Sequence, residues 1–203
     1  MQHAPIKQFD DEKVSALAAA EQQLREEITR LQRENKMLSI ALSETQRIAD
    51  RDMLTPLYNR RYFLSALHRR IANNEESDDR AALVYVDVDG LKSINDRFGH
   101  SVGDLLLIEI AERLNAAMRR DDVLARIGGD EFGMLLDQVN LNQAKAFVRR
   151  LKGMIEDAPM IHEGVTIPLS AAFGLCIVDP GHSAEELLGM ADSDMYRSKN
   201  RSA

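Results

Sequence analysis

Two acidic strings combine residue types and spacing suited to chemistry. Val86-Asp87-Val88-Asp89-Gly90 closes an apolar stretch, ALVYVDVDG, with carboxylates at alternate positions. Gly128-Gly129-Asp130-Glu131 sits between two short apolar runs, DVLARI and FGMLLD. Alternation along a strand puts Asp87 and Asp89 on one side and Val88 on the other. A four-residue connection between two short strands suits a hairpin, with Asp130 and Glu131 at its tip. If the first strand pairs beside that hairpin, three or four carboxylates converge. Such a group repels itself and raises its own pKa values unless a cation lies between. Oxygen donors without nearby His or Cys suit the hard cations Mg²⁺ or Mn²⁺. The two glycines remove side-chain bulk, allowing a sharp turn and the close approach of a large ligand. Taken alone, Gly-Gly-Asp-Glu also fits an ordinary polar turn.

The segment DGLKSINDRFGHSVGDLLL follows the acidic strand directly. Asn95 and Asp104 flank a turn there, at the entrance to the next helix. By themselves they read as a turn residue and a helix N-cap. Together, an amide oxygen and a carboxylate can also accept from guanine N1–H and its exocyclic amine, a donor pair that adenine lacks.

The elements that must position these residues are legible in outline. YNRRYFLSALHRRIA reads as an amphipathic helix with an Arg-rich face, and NNEESDD as a solvated loop. Helices are predicted over VGDLLLIEIAERLNAAMRR, LNQAKAFVRRLKGMIEDA and SAEELLGMADSDMYRSK, and a strand over IPLSAAFGLCIV. The order β-α-β-β-α-β describes a ferredoxin-like α+β fold, with a four-stranded antiparallel sheet and helices on one face. Cys176, the sole cysteine, lies in FGLCIV and reads as a core residue.

Residues 1–50 differ from 51–203. Leu17, Leu24, Leu31 and Leu38 recur at every seventh position, with Val14, Glu21, Ile28, Asn35, Leu42 and Ala49 at the complementary seam position. No Gly or Pro interrupts Asp10 to Asp50. The pattern predicts a coiled coil, and an Asn within such a seam favours a parallel pair of helices. A helix folded back on its own domain is the alternative. Met53 to Pro56 ends the helical pattern. The net charge of −7 argues against non-specific binding to nucleic acid or anionic lipid. No apolar run reaches the roughly 18 to 20 residues a membrane helix needs, and the N-terminal residues lack a signal-peptide core. The expectation is a soluble cytoplasmic protein.

With these residues in view, the chain resembles the GGDEF family of bacterial diguanylate cyclases. The resemblance runs from about Asp52 onward through DMLTPLYNRR, VDVDGLKSINDRFGHSVGD, GGDEF itself and ADSDMYRSK. It implies a cyclase/palm-type domain that joins two GTP into cyclic di-GMP with release of two pyrophosphates. It implies further that Asp87, Asp130 and the Val88 carbonyl hold Mg²⁺ or Mn²⁺, and that Asn95 and Asp104 bind guanine. Glu131 matches an essential signature residue, as general base or second metal ligand. Lys92 and Lys199 would face the triphosphate, passing over Gly128 and Gly129. Because a family half-site holds one GTP, a homodimer through the coiled coil would bring two together. Arg119 and Asp122 look like the ends of an RxxD product-inhibition motif, with Arg150 as the partner arginine. The chain departs from the family pattern at Pro56, often Gly, and at Leu91, often Phe. The position four beyond Lys199, customarily a phosphate-binding Arg, is Ala203, with Arg201 nearby. A catalytically silent module that binds GTP or cyclic di-GMP as a receptor or scaffold is the rival expectation.

Overall fold

A computed structural model describes residues 6–74 and 81–202. The loop expected over NNEESDD falls largely in 75–80, and Ala203 and the Arg201 side chain likewise lie outside the described residues. The chain divides between Ala49 and Asp50 into two compact units. The first contains α1 (Ile6–Ala49). Its seam residues Val14, Leu17, Leu24, Ile28, Leu31, Leu38 and Leu42 are each at least 46% exposed, so the heptad stripe runs along an open helix face. Spacings of three and four residues carry ion pairs along the helix, such as Arg30–Glu27 and, reaching the seam position Glu21, Arg25–Glu21.

In the second unit the elements run in the order β1 (Tyr58–Asn59), α2 (Arg60–Asn74), β2 (Ala82–Val88), α3 (Leu91–Phe98), α4 (His100–Ala117), β3 (Val123–Arg126), β4 (Glu131–Leu136), α5 (Leu141–Glu156), β5 (Met160–His162), β6 (Val165–Ile167), β7 (Ala171–Ile177) and α6 (Ala184–Ser202). Strands β2, β3, β4 and β7 form the expected antiparallel sheet, in the order β3-β4-β2-β7. Three features extend that expectation. Strand β1 adds a parallel edge beside β3. β5 and β6 form a separate hairpin, turned through Glu163 and Gly164 at φ 46° and 79°, the paired positive φ values of a two-residue hairpin loop. Helix α3 occupies what reads in sequence as a turn, so Asn95 is helical; the turn itself falls at Gly99, with φ 87°.

Helices cover both faces of the sheet, where one was expected. The pleat explains why. Val84, Val86, Phe132, Met134 and Phe173 point toward α4 and α5 and form one core with Leu106, Ile110, Leu114, Leu151 and Ile155. Leu83, Ala125, Leu135 and Cys176 point the other way, against Phe63 and Leu67 of α2 and Leu187 and Ala191 of α6. A β2 that is apolar on both sides demands two covering layers. Cys176 is buried as expected, its thiol pushed up to about 11 by burial and then by the nearby Asp194 charge.

Helix α6 lies unusually close to β7. A Cβ at Gly174 would sit 2.0 Å from the Ala191 carbonyl oxygen and 2.3 Å from the Met195 amide nitrogen. The Leu175 N–H at the sheet edge donates to Asp194 of the same helix, at 3.1 Å. Backbone cannot yield as a side chain end can, so Gly174→Ala is expected to lift α6 and destabilise the domain by about 1–3 kcal/mol. A drop in thermal midpoint checks this, and an unchanged midpoint would count against the close packing.

Candidate active site

The acids gather where β2 and β4 end together. Asp87 pairs directly across the ladder with Glu131 and, on its other side, with Ala172. The pleat puts both carboxylates on the face covered by α2 and α6. The main chain carries the pairing one step further, since Val88 N–H donates to the Asp130 carbonyl at 3.0 Å. Asp89 continues off the strand end, its N–H donating to the Ser170 carbonyl and its carboxylate accepting from the Ser170 hydroxyl at 3.2 Å.

A cation already sits on these acids. Lys199 Nζ lies 2.5 Å from Asp87 Oδ1 and 3.2 Å from Asp89 Oδ1. Burial alone would lower the Lys199 pKa, but the hydrogen bonds and charges of Asp87 and Asp89 outweigh it and hold the ammonium above its ordinary value. Among the described residues no group of three or more acids, His or Cys stands close enough to share a metal ion. Asp87 is nonetheless a half-buried carboxylate with a positive centre on it. The adjoining donors are all oxygen, from Asp87, Asp130 and the main chain at Val88, so the residues fit a hard divalent cation.

The hairpin tip is held from several directions. Ile127 N–H and Gly128 N–H both donate to the Glu131 carbonyl, at 2.9 and 3.2 Å. The Arg126 guanidinium donates to the Gly129 carbonyl at 2.7 Å and reaches Asp52 at 3.4 Å. Arg60 of α2 donates to the Ile127 carbonyl at 3.1 Å. Asp52 in turn accepts from the amides of Leu54 and Thr55 and from the Thr55 hydroxyl. Burial opposes its charge, yet these hydrogen bonds and Arg126 hold its carboxyl below the usual range. Asp52, Thr55, Arg60 and Arg126 were not singled out from the sequence. The Asp-x-x-Thr spacing of a side-chain-capped turn was the available signal.

The two glycines of the tip differ. A Cβ at Gly128 would fall 2.0 Å from Glu131 Oε2, because the Glu131 side chain folds over it; at Gly129 nothing lies within 4 Å. Glu131 also accepts from Tyr85, two residues before Asp87 on the same strand face. Burial and this hydrogen bond push the Tyr85 phenol above its ordinary value, so it stays a donor.

Asn95 of α3 packs against Gly103 of α4, the residue before Asp104. A Cβ at Gly103 would lie 1.9 Å from Asn95 Oδ1, so the glycine admits the amide. That oxygen is buried and without a hydrogen-bond partner, an arrangement that costs about 1–3 kcal/mol unless a donor arrives. Asp104 is exposed, in the second turn of α4 rather than at its N-cap, which is Gly99. Lys92 is exposed in the first turn of α3, with no ion pair to the acids among the described residues.

A second cluster lies elsewhere on the domain. Arg119 and Asp122 line a depression of about 60 Å³ with Leu136, Val139, Gln143 and Phe147. Arg150 stacks over the Phe147 ring, 5.2 Å from its centroid. Phe147 thus lines the depression with Arg119 and Asp122 and also carries Arg150. The Asp122 carboxylate also braces its turn, accepting from Arg119 N–H at 2.8 Å and Asp137 N–H at 3.0 Å.

Known proteins resemble this chain in sequence and fold. The model of the diguanylate cyclase GGDEF domain matches residues 49–203. The chain is 39% identical over 153 residues to a probable diguanylate cyclase, DgcE, of Escherichia coli strain K12, covering 75% of this chain and 14% of that protein. It is 35% identical over 180 residues to the bifunctional diguanylate cyclase/cyclic di-GMP phosphodiesterase MucR of Pseudomonas aeruginosa, covering 85% and 26%. The chain thus spans about a quarter or less of these two relatives. Among solved structures, the diguanylate cyclase SiaD of Pseudomonas aeruginosa, in complex with its activator SiaC, superposes with a TM-score of 0.78 at 26% identity, covering 96% of this chain and 76% of that one. With its sheet order, its acidic strand ends and a family match over well more than half its length, the chain belongs to the GGDEF-domain family of diguanylate cyclases.

Proposed function

We infer that this chain is an active diguanylate cyclase that joins two GTP into cyclic di-GMP, one GTP held by each of two copies. The observation that carries the reading is the direct cross-strand pairing of Asp87 with Glu131, with the Lys199 ammonium on Asp87. A silent nucleotide receptor has no use for opposed carboxylates at one strand end.

Each residue's task derives from its position. Asn95 Oδ1, buried and unpartnered, and the Asp104 carboxylate accept from the N1–H and exocyclic amine of guanine. Adenine would leave both acceptors unpaired, so the pair selects for guanine. Gly129, with open space where a Cβ would be, lets the phosphates cross the hairpin tip. Lys199 and Lys92 meet the phosphate charge. Asp87, Asp130 and the Val88 carbonyl would hold Mg²⁺ or Mn²⁺, which supplies charge neutralisation on the phosphates and a lowered hydroxyl pKa. Glu131, oriented by the Tyr85 hydroxyl, takes the proton of the attacking 3′-hydroxyl.

A single half-site presents one α-phosphate and cannot close a symmetric ring alone. The open heptad stripe of α1 suits a parallel pair of helices with Asn35 setting register. Tethering of this kind raises the local concentration of the second half-site to about millimolar. The Arg119, Asp122 and Arg150 cluster is assigned to product inhibition. A carboxylate has about four acceptor positions, so Asp122 can brace its turn and still receive a base N–H.

Incubation with GTP and Mg²⁺, with detection of cyclic di-GMP, tests the reading. The chain is expected to form it, and Glu131→Gln, which keeps the shape but removes the base, to lose about 100-fold or more in rate. Binding of GTP without product would instead favour a receptor. Arg119→Ala is expected to weaken inhibition by cyclic di-GMP about tenfold, the worth of a charge-assisted hydrogen bond. Equal inhibition in that variant would remove the assignment. Inserting one residue into α1 rotates the catalytic domain about the helix axis by about 100° and is expected to cost up to about 100-fold in rate through misplacement of the facing half-sites. A rate indifferent to the insertion would sever the coil from catalysis.

A further inference from the structure

Beyond Lys199 lies a cavity of about 600 Å³, bordered by Lys199 and Asp89 and otherwise lined by residues that have no assigned role. Arg149 and Lys152 enter it from α5, Ser170 from the segment before β7, and Ser198 and Lys199 from α6. Its floor is the start of β7, Ala171 to Phe173. The cavity thus continues the acid-bearing strand end around the edge of the sheet.

Its charges can be accounted for one by one. Asp89 is engaged by Lys199 and by the Ser170 hydroxyl. Glu156 stands 3.7 Å from Lys152, one turn away on α5. Arg149 has neither a hydrogen bond nor an ion pair among the described residues, and it faces the cavity. An unpaired guanidinium offers a planar fork of donors whose natural counterpart is a phosphate or carboxylate. Lys152, one turn further along α5, and the serines Ser170 and Ser198 line the same cavity. The ligand chemistry this favours is a polyphosphate chain, anionic at every unit and rich in acceptors.

We propose that Arg149, with Lys152 beside it, holds the terminal phosphates of the nucleotide whose guanine end lies at Asn95 and Asp104. The proposal rests on the nucleotide reading of the site. Lys199, at the mouth of the cavity, passes the phosphate chain from the Asp87 end to Arg149. The cavity then distinguishes a triphosphate from a diphosphate, since only the longer chain reaches α5.

Calorimetric titration with 3′-deoxy-GTP and 3′-deoxy-GDP, which lack the attacking hydroxyl and cannot condense, tests this with Mg²⁺ present. The wild-type chain is expected to favour the triphosphate. Arg149→Ala is expected to weaken triphosphate binding about tenfold while leaving diphosphate binding in place, so that the two affinities converge. Arg149→Lys should restore part of the preference. Lys145→Ala, exposed on the same helix and outside the cavity, should leave both affinities alone. Wild-type preference retained in Arg149→Ala would overturn the proposal while the nucleotide reading stands. A wild-type chain that binds neither nucleotide would overturn both.

Discussion

The central constraint on this domain is electrostatic: the fold sets two carboxylate-bearing residues opposite one another at one end of a sheet. Antiparallel pairing sets Asp87 opposite Glu131, and strand alternation sends Asp89 to the same side. Like charges brought to one strand end repel one another. The chain compensates with Lys199, which reaches from α6 to Asp87 and Asp89 together. Ion pairs between partly exposed groups are worth little in net stability, so the contact is easily exchanged. On the proposed reading, a phosphate chain that drew the ammonium away would replace one ion pair with another.

Placing Lys199 requires α6 to run over β7 at backbone contact, and Gly174 makes that approach possible. Opposite it, α2 and the Asp52 turn fix the hairpin tip through Arg60 and Arg126. The acid-bearing rim is thus clamped from two sides by elements distant in sequence. Asp52 carries this role because its own turn saturates it with donors, which keeps it charged for Arg126. Four residues of loop would otherwise leave Asp130 and Glu131 free to wander.

How much of this could be read beforehand depended on range. The strands, the carboxylate positions and the long heptad stripe come from period-two and period-seven patterns, which are local. The second helical layer was hidden because β2 is apolar on both faces, a pattern that periodicity alone does not orient. Helix α3 was masked by Ser93, Asn95 and Asp96, residues that favour turns; packing against α4 through Gly103 overrides that preference. The β5–β6 hairpin was signalled by Glu163-Gly164, yet its three-residue strands are too short for alternation to register. Tyr85 could have been found from its spacing of two from Asp87. Arg60 and Arg149 could not, because nothing near them in sequence shows what they face.

Asn95 and Asp87 obey opposite rules. At Asn95 the chain leaves a buried acceptor unpaired, a local cost that a donor from outside would recover. At Asp87 the chain sets its own cation on the carboxylate. The difference lies in the magnitude of the two penalties. An unsatisfied neutral amide oxygen costs about 1–3 kcal/mol, which a folded domain of about 5–15 kcal/mol tolerates. A charge left without a partner costs more than an unsatisfied neutral group, so the carboxylate is the group that the chain pairs internally. Lys199 thus answers a requirement of the folded domain itself, ahead of any reaction.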